Sequence, residues 1–184
     1  MATARQATEY IADALRIPIG IVTDCQEVVR AAGLIPATPG IPAQIETKHI
    51  ATILLSALLG NQWADGHAER VADYCSMRPI AGSATFGQTL AAYIDNPHDL
   101  FEIRIDAHVP GATMTYRQTN GGMAVTSFVI DTPQPRPAFG REVIIGPEPL
   151  ISLAAAIETA PAVKAGRPRE RDRYRRTERA VLYN

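Results

Sequence analysis

Phe101-Glu-Ile-Arg-Ile-Asp-Ala-His-Val109 decides the architecture of this chain. Its apolar members, Phe101, Ile103, Ile105, Ala107 and Val109, alternate strictly with Glu102, Arg104, Asp106 and His108. Successive side chains of an extended backbone point to opposite faces, so the alternation predicts a half-buried strand over 101–109. Period two persists downstream. Pro110-Gly111 turns the chain into a second strand over 112–118, and Asn120-Gly121 is a hairpin signal leading to a third over 123–130. Pro133, Pro135 and Pro137 make a loop, 141–145 a short fourth strand, and 148–159 a closing helix that Pro161 ends.

Upstream of residue 100 the period is helical. Ala7, Tyr10, Ile11, Ala14 and Leu15 recur at spacings of three and four and predict a helix over 4–15. Arg16-Ile17 breaks it. Pro18 suits the first turn of a second helix, where its missing N–H costs nothing. That helix runs to about Ala32, buries Ile21 or Val22, Cys25, and Val28 or Val29, and stops at Gly33. A loop with Pro36, Pro39, Gly40 and Pro42 follows. Three more helices are expected: one capped by Thr47 and running to Leu59 with Gly60 as its stop, one over about Trp63 to Met77 with Trp63 packed on the helical core, and one over Thr85 to Ile94.

Helices first and an antiparallel meander second is an α+β arrangement. The predicted organisation is a helical module over 1–80, an α+β meander domain over 81–161 that could self-associate through an uncovered strand edge, and a basic tail over 162–184. Hydrophobic content of 46% supports a substantial core. Cys25 and Cys75 have no CxxC spacing and read as buried thiols of a reducing cytoplasm. The N-terminus lacks a basic start followed by an apolar run, so no signal peptide is expected. The longest apolar stretch, Ile50 to Leu59, is about half the length needed to span a bilayer. A cytoplasmic protein without a membrane partner is the resulting expectation.

The stretch Ile11-Ala-Asp-Ala-Leu-Arg-Ile-Pro-Ile-Gly-Ile-Val-Thr-Asp-Cys-Gln-Glu-Val-Val-Arg-Ala-Ala-Gly-Leu-Ile35 resembles the helix-turn-helix of winged-helix regulators. It has a first helix and turn of the "IAxALxIP" kind, a second helix with a valine near its start, and an "AGLI" exit. The resemblance covers residues 7–36 and extends loosely to residue 60. The layout of Ala32-Gly-Leu-Ile-Pro36, a Pro/Gly loop and Ala51-Thr-Ile-Leu-Leu-Ser-Ala-Leu-Leu59 is similar to that of phage and prophage proteins. The resemblance implies that the second helix docks on duplex DNA, with Ile19, Gly20, Thr23, Asp24, Glu27 and Arg30 on its outward surface. Thr23 is the conventional base reader in that set. Asp24 and Glu27 repel phosphate unless one accepts from a cytosine amino group, so the same face also suits a protein partner.

Charge is split along the chain. Residues 164–179 carry Lys164, Arg167, Arg169, Arg171, Arg173, Arg175, Arg176 and Arg179 against three acids, a net of +5, which leaves the rest at −6 for a total of −1. Such a tail favours a polyanion or an acidic partner surface. Gly166-Arg-Pro168 resembles the core of an AT-hook, which lies in a narrow minor groove. The bland alternative is a solvated terminal helix in which Glu170, Asp172 and Glu178 pair with nearby arginines.

No catalytic motif stands out. His49, His67, His98 and His108 are scattered without zinc spacing, and Gly82-Ser-Ala-Thr-Phe-Gly87 lacks the Gly-Lys-Ser/Thr end of a phosphate loop. No catalytic residue, metal ligand or cofactor is therefore expected. The leading expectation is a DNA-binding regulator of phage or bacterial type that works as a homo-oligomer. The alternatives are a DNA-packaging adaptor resembling a small terminase subunit, and a protein-interaction module built on a winged helix.

Overall fold

A computed structural model describes residues 2–37, 44–60, 62–80, 82–130 and 140–162. The element order is α1 (Ala4–Leu15), α2 (Ile19–Ala31), α3 (Thr47–Leu59), α4 (His67–Ser76), β1 (Arg78–Pro79), α5 (Phe86–Asp95), β2 (Leu100–Asp106), β3 (Gly111–Arg117), β4 (Met123–Val129), β5 (Glu142–Ile145) and α6 (Pro147–Glu158). This is an α+β fold: N-terminal helices, a five-stranded antiparallel sheet in the order β1-β4-β3-β2-β5, and a final helix.

Local chemistry sets the helix ends. Thr3 caps α1 and Thr85 caps α5 through reciprocal capping boxes with Gln6 and Gln88, and Glu46, paired with His49, caps α3 in place of the expected Thr47. Leu59 gives way to Gly60, whose φ of 62° a side chain would strain. α3 is buried almost all round, from Ile50 to Ser56 and again at Leu58 and Leu59, and packs against α1, α2, α4 and α5. It is the central helix of the molecule. Gly87 allows α5 to close on α4, because a Cβ there would lie 3.0 Å from the Cys75 carbonyl oxygen.

One face of the sheet is apolar and inward. Ile103, Ile105, Ala112, Met114, Phe128 and Ile145 are buried, and Phe86 of α5 meets Phe128 edge to face at 5.3 Å. These residues share one cluster with Ala7, Val22, Leu54 and Val71, so buried side chains from both sides of residue 80 pack together. The opposite face carries Arg104, Thr113, Ser127 and Ile144 in one cross-strand row.

Several expectations shift. The strand expected over 101–109 ends at Asp106, because its Oδ1 accepts from the N–H groups of His108 and Val109 and starts a turn. Asn120-Gly121 does close a hairpin, with Gly121 at φ 82° and the Gln118 N–H bonded to the Gly122 carbonyl. Asn120 keeps a negative φ, so the turn is not the two-residue primed form. Trp63 is 73% exposed and lies before α4, outside the core in which it was expected. Two-residue β1 was not anticipated. β5 joins β2 at the far edge, not the neighbouring β4. No helix among the described residues is long and apolar enough to cross a membrane.

Candidate nucleic-acid interface

α1 and α2 are joined by a three-residue turn, Arg16-Ile17-Pro18. Arg16 adopts the left-handed conformation at φ 54°, and the Ile17 N–H reaches back to the Ala12 carbonyl at 3.0 Å, which satisfies the helix end. Pro18 sits at the N-cap of α2, one position before the first helical turn where it was expected. Such a short turn folds α2 back onto α1. The Thr8 hydroxyl bonds the Gln26 side-chain oxygen at 2.8 Å across that contact, and both residues are buried. Val22, Cys25, Gln26 and Val29 form the inward stripe of α2, which also packs on α3. Burial pushes the Cys25 thiol pKa up, so the thiol is neutral.

The outward surface of α2 largely matches the sequence expectation. Ile19, Gly20, Glu27 and Arg30 are exposed, and Thr23 and Asp24 are half-buried. The geometry narrows what these groups can do. The Thr23 hydroxyl donates to the Ile19 carbonyl at 2.9 Å, which engages its proton within the helix. Arg30 lies 3.8 Å from Glu27, a loose exposed pair. Ile21 is also exposed, at 37%, which the sequence had left undecided between Ile21 and Val22. Ile19 and Ile21 place two branched apolar side chains on the first turn, but two residues apart they point to different sides of the helix, and only Ile19 shares the side of Thr23.

The eight basic tail residues, Lys164 to Arg179, lie outside the described residues. The point where the tail leaves the body is described. The Gln6 side-chain amide donates to the Pro161 carbonyl at 3.0 Å, and α6 packs along α1. Gln6 and Thr8 are two residues apart, on nearly opposite sides of α1. The tail root and the C-terminal half of α2 therefore flank the N-terminal half of α1 from opposite sides, while the first turn of α2 lies at the other end of α1. The 22 residues from 163 to 184 could span at most about 80 Å, several times the length of α2.

A second polar cluster, which the sequence reading missed, lies behind α2. Ser56 Oγ is 2.8 Å from His67 Nε2, and Arg70 Nη2 is 3.1 Å from His67 Nδ1. A guanidinium only donates, so Nδ1 accepts and Nε2 carries the proton toward Ser56. This is the reverse of a base that takes a proton from a nucleophilic serine. His67 is buried, and burial followed by the Arg70 charge lowers its pKa. The spacing of Ser56 and His67, on two helices, carried no local signal. No group of three or more His, Cys, Asp or Glu residues that could hold a metal ion occurs among the described residues.

Neutral His67 makes stability pH-dependent. Its folded pKa lies below its unfolded value, so the contribution is present above about pH 6.5 and fades as pH falls below it. We expect the melting temperature to drop between pH 7.5 and 5 and His67→Gln to flatten that drop. Melting curves over a pH series check it; an equal drop in the variant assigns the effect to other groups.

No family model, curated protein or solved structure matches this chain.

Proposed function

We propose that the protein binds duplex DNA as a regulator of phage or bacterial type, with α1 and α2 acting as a helix-turn-helix and the basic tail adding phosphate affinity. The observation that carries this reading is a combination along α1: a tight turn at its C-terminal end that presents α2, and the root of a +5 segment bonded to Gln6 in its first turn. Ile19, Gly20, Thr23, Asp24, Glu27 and Arg30 meet base edges and nearby phosphates in this reading, and Lys164 to Arg179 track the backbone. A small-terminase-like packaging adaptor uses the same parts and differs in forming a ring. The carboxylates of Asp24 and Glu27 favour a protein-interaction module as the other alternative.

Binding-site selection from a random duplex library tests the reading. Thr23→Ala together with Glu27→Ala is expected to change the selected sequences, with discrimination relaxed by about 1–3 kcal/mol per good contact. Overall affinity should stay or rise, since a carboxylate leaves a phosphate-facing surface. Selection of the same sequences by the double variant would remove α2 as the reader and leave its acidic face to a protein partner.

A further inference from the structure

We infer that two copies of this chain pair through the free edge of β4, in an antiparallel register centred on Ala124, to make one continuous ten-stranded sheet. The inference stands on the sheet and goes beyond the DNA reading.

β4 is an incompletely covered edge. β1 pairs with it only at Val129 and Phe128, and the Ile80 N–H adds a bond to the Ser127 carbonyl at 3.1 Å. No described strand faces β4 over residues 123–126. The direction of its backbone groups follows from two bonds. The Gly122 carbonyl accepts from Gln118 on the β3 side at 2.7 Å, whereas the Ser127 carbonyl points to β1. Backbone groups alternate in direction along a strand, so Gly122, Ala124 and Thr126 address β3, and Met123 and Val125 address the open edge.

That parity selects the register. In a two-fold pairing about Ala124, Met123 of one copy faces Val125 of the other, and each such pair exchanges two N–H···O bonds. All four outward backbone groups are then satisfied. Centring on Val125 instead would call on Ser127, whose carbonyl already serves Ile80. The Ala124 register also sets Met123 and Val125, 52% and 63% exposed, beside one another on the outer sheet face. Ile80 and Val129, also exposed, extend the apolar surface beside them.

Charge identifies the occupant. Residues 118–130 hold no charged side chain, so this edge meets its own copy without like-charge repulsion. Edges that stay single are usually guarded by charge, proline or a bulge. The opposite edge is charged in this way: Glu142 of β5 carries a carboxylate 3.7 Å from Arg104. β4 has no such guard.

Sedimentation of the full chain over a concentration series tests the proposal. Wild type is expected to dimerise. Met123→Lys with Val125→Lys puts like charges opposite each other twice and should raise the dimer dissociation constant by at least about 100-fold. Both side chains are exposed, but position 123 also faces Arg117 of the same copy, so a small fall in melting temperature is expected, and the charge-paired variant below, which keeps the same lysine at 123, controls for it. Met123→Lys with Val125→Glu sets opposite charges across both pairs and should restore the dimer. Amide exchange on the wild type gives a readout free of variants: protection of Met123 and Val125 should rise with concentration. A monomeric wild type at all concentrations, a double-lysine variant that dimerises like wild type, or exchange at Met123 and Val125 that ignores concentration each overturns the proposal. DNA affinity enters none of these readouts, so this inference and the DNA reading fail separately.

Discussion

Val22→Asp is expected to unfold the N-terminal helices. Val22 is fully buried on the inward stripe of α2, and that helix packs on both α1 and α3. An aspartate there has no basic partner on the stripe: its neighbours are Cys25, Gln26 and Val29. Burying an unpaired carboxylate or protonating it costs roughly 3–5 kcal/mol, a large share of a stability that is typically about 5–15 kcal/mol. Because Val22 shares a cluster with Leu54, Val71 and Ile103, the loss should reach the sheet as well as α1 and α2. Thermal and urea melts followed by circular dichroism would show a fall in midpoint, with partial recovery at low pH as the carboxyl protonates. Melting like wild type would mean that α2 turns a different face to the core.

Deleting residues 164–184 is expected to weaken duplex binding for all sequences alike. Eight basic side chains leave with the deletion, and the remaining chain keeps its negative excess. Each lysine or arginine at a phosphate releases about one counterion, so the salt slope should become shallower by several units, up to about 7 if all eight engage. The loss in affinity should therefore be greatest at low salt. Binding preference should persist, the opposite of the outcome for the Thr23 and Glu27 variant. The deletion starts beyond Pro161, so the bond from Gln6 remains and melting should not change. Titration of both proteins over a salt series decides it; equal affinity and equal slope would take the tail out of DNA binding.

The Thr23 and Glu27 variant and the tail deletion probe two parts of the chain that differ in charge. α2 has acidic groups and a single arginine on its exposed surface, which is poor equipment for phosphate. The tail has the opposite composition. A division of labour in which α2 discriminates and the tail attracts would explain why neither part looks complete alone. The same acidic surface with the same tail also suits protein contacts, and the two measurements distinguish these outcomes.

Local periodicity located most of the elements, though not the two-residue β1 or the start of α4 at His67, expected near Trp63. Spacings of three and four and the alternation of residues 101–109 are short-range signals, and α1, α3, α5 and the meander follow them within a residue or two, apart from the early end of β2 and from Phe101, which a bulge leaves 62% exposed while Leu100 is buried. The outward surface of α2 was legible for the same reason: once Val22, Cys25 and Val29 face inward, helical geometry places Ile19, Glu27 and Arg30 outside. Only the tertiary structure decided what depends on distant neighbours. β5 sits beside β2 because its buried Ile145 pairs with Ile103, a contact between residues 42 positions apart. Tyr74 ties α4 to the end of β2 through the Asp106 carbonyl. His67 is buried against Ser56 and Trp63 is left in solvent, although residue type alone favours the reverse. The open stretch of β4 exists because β1 is two residues long and stops at Pro79. Secondary structure is encoded in adjacent residues, whereas strand order, burial and free edges arise from which surfaces meet after the chain has folded back on itself.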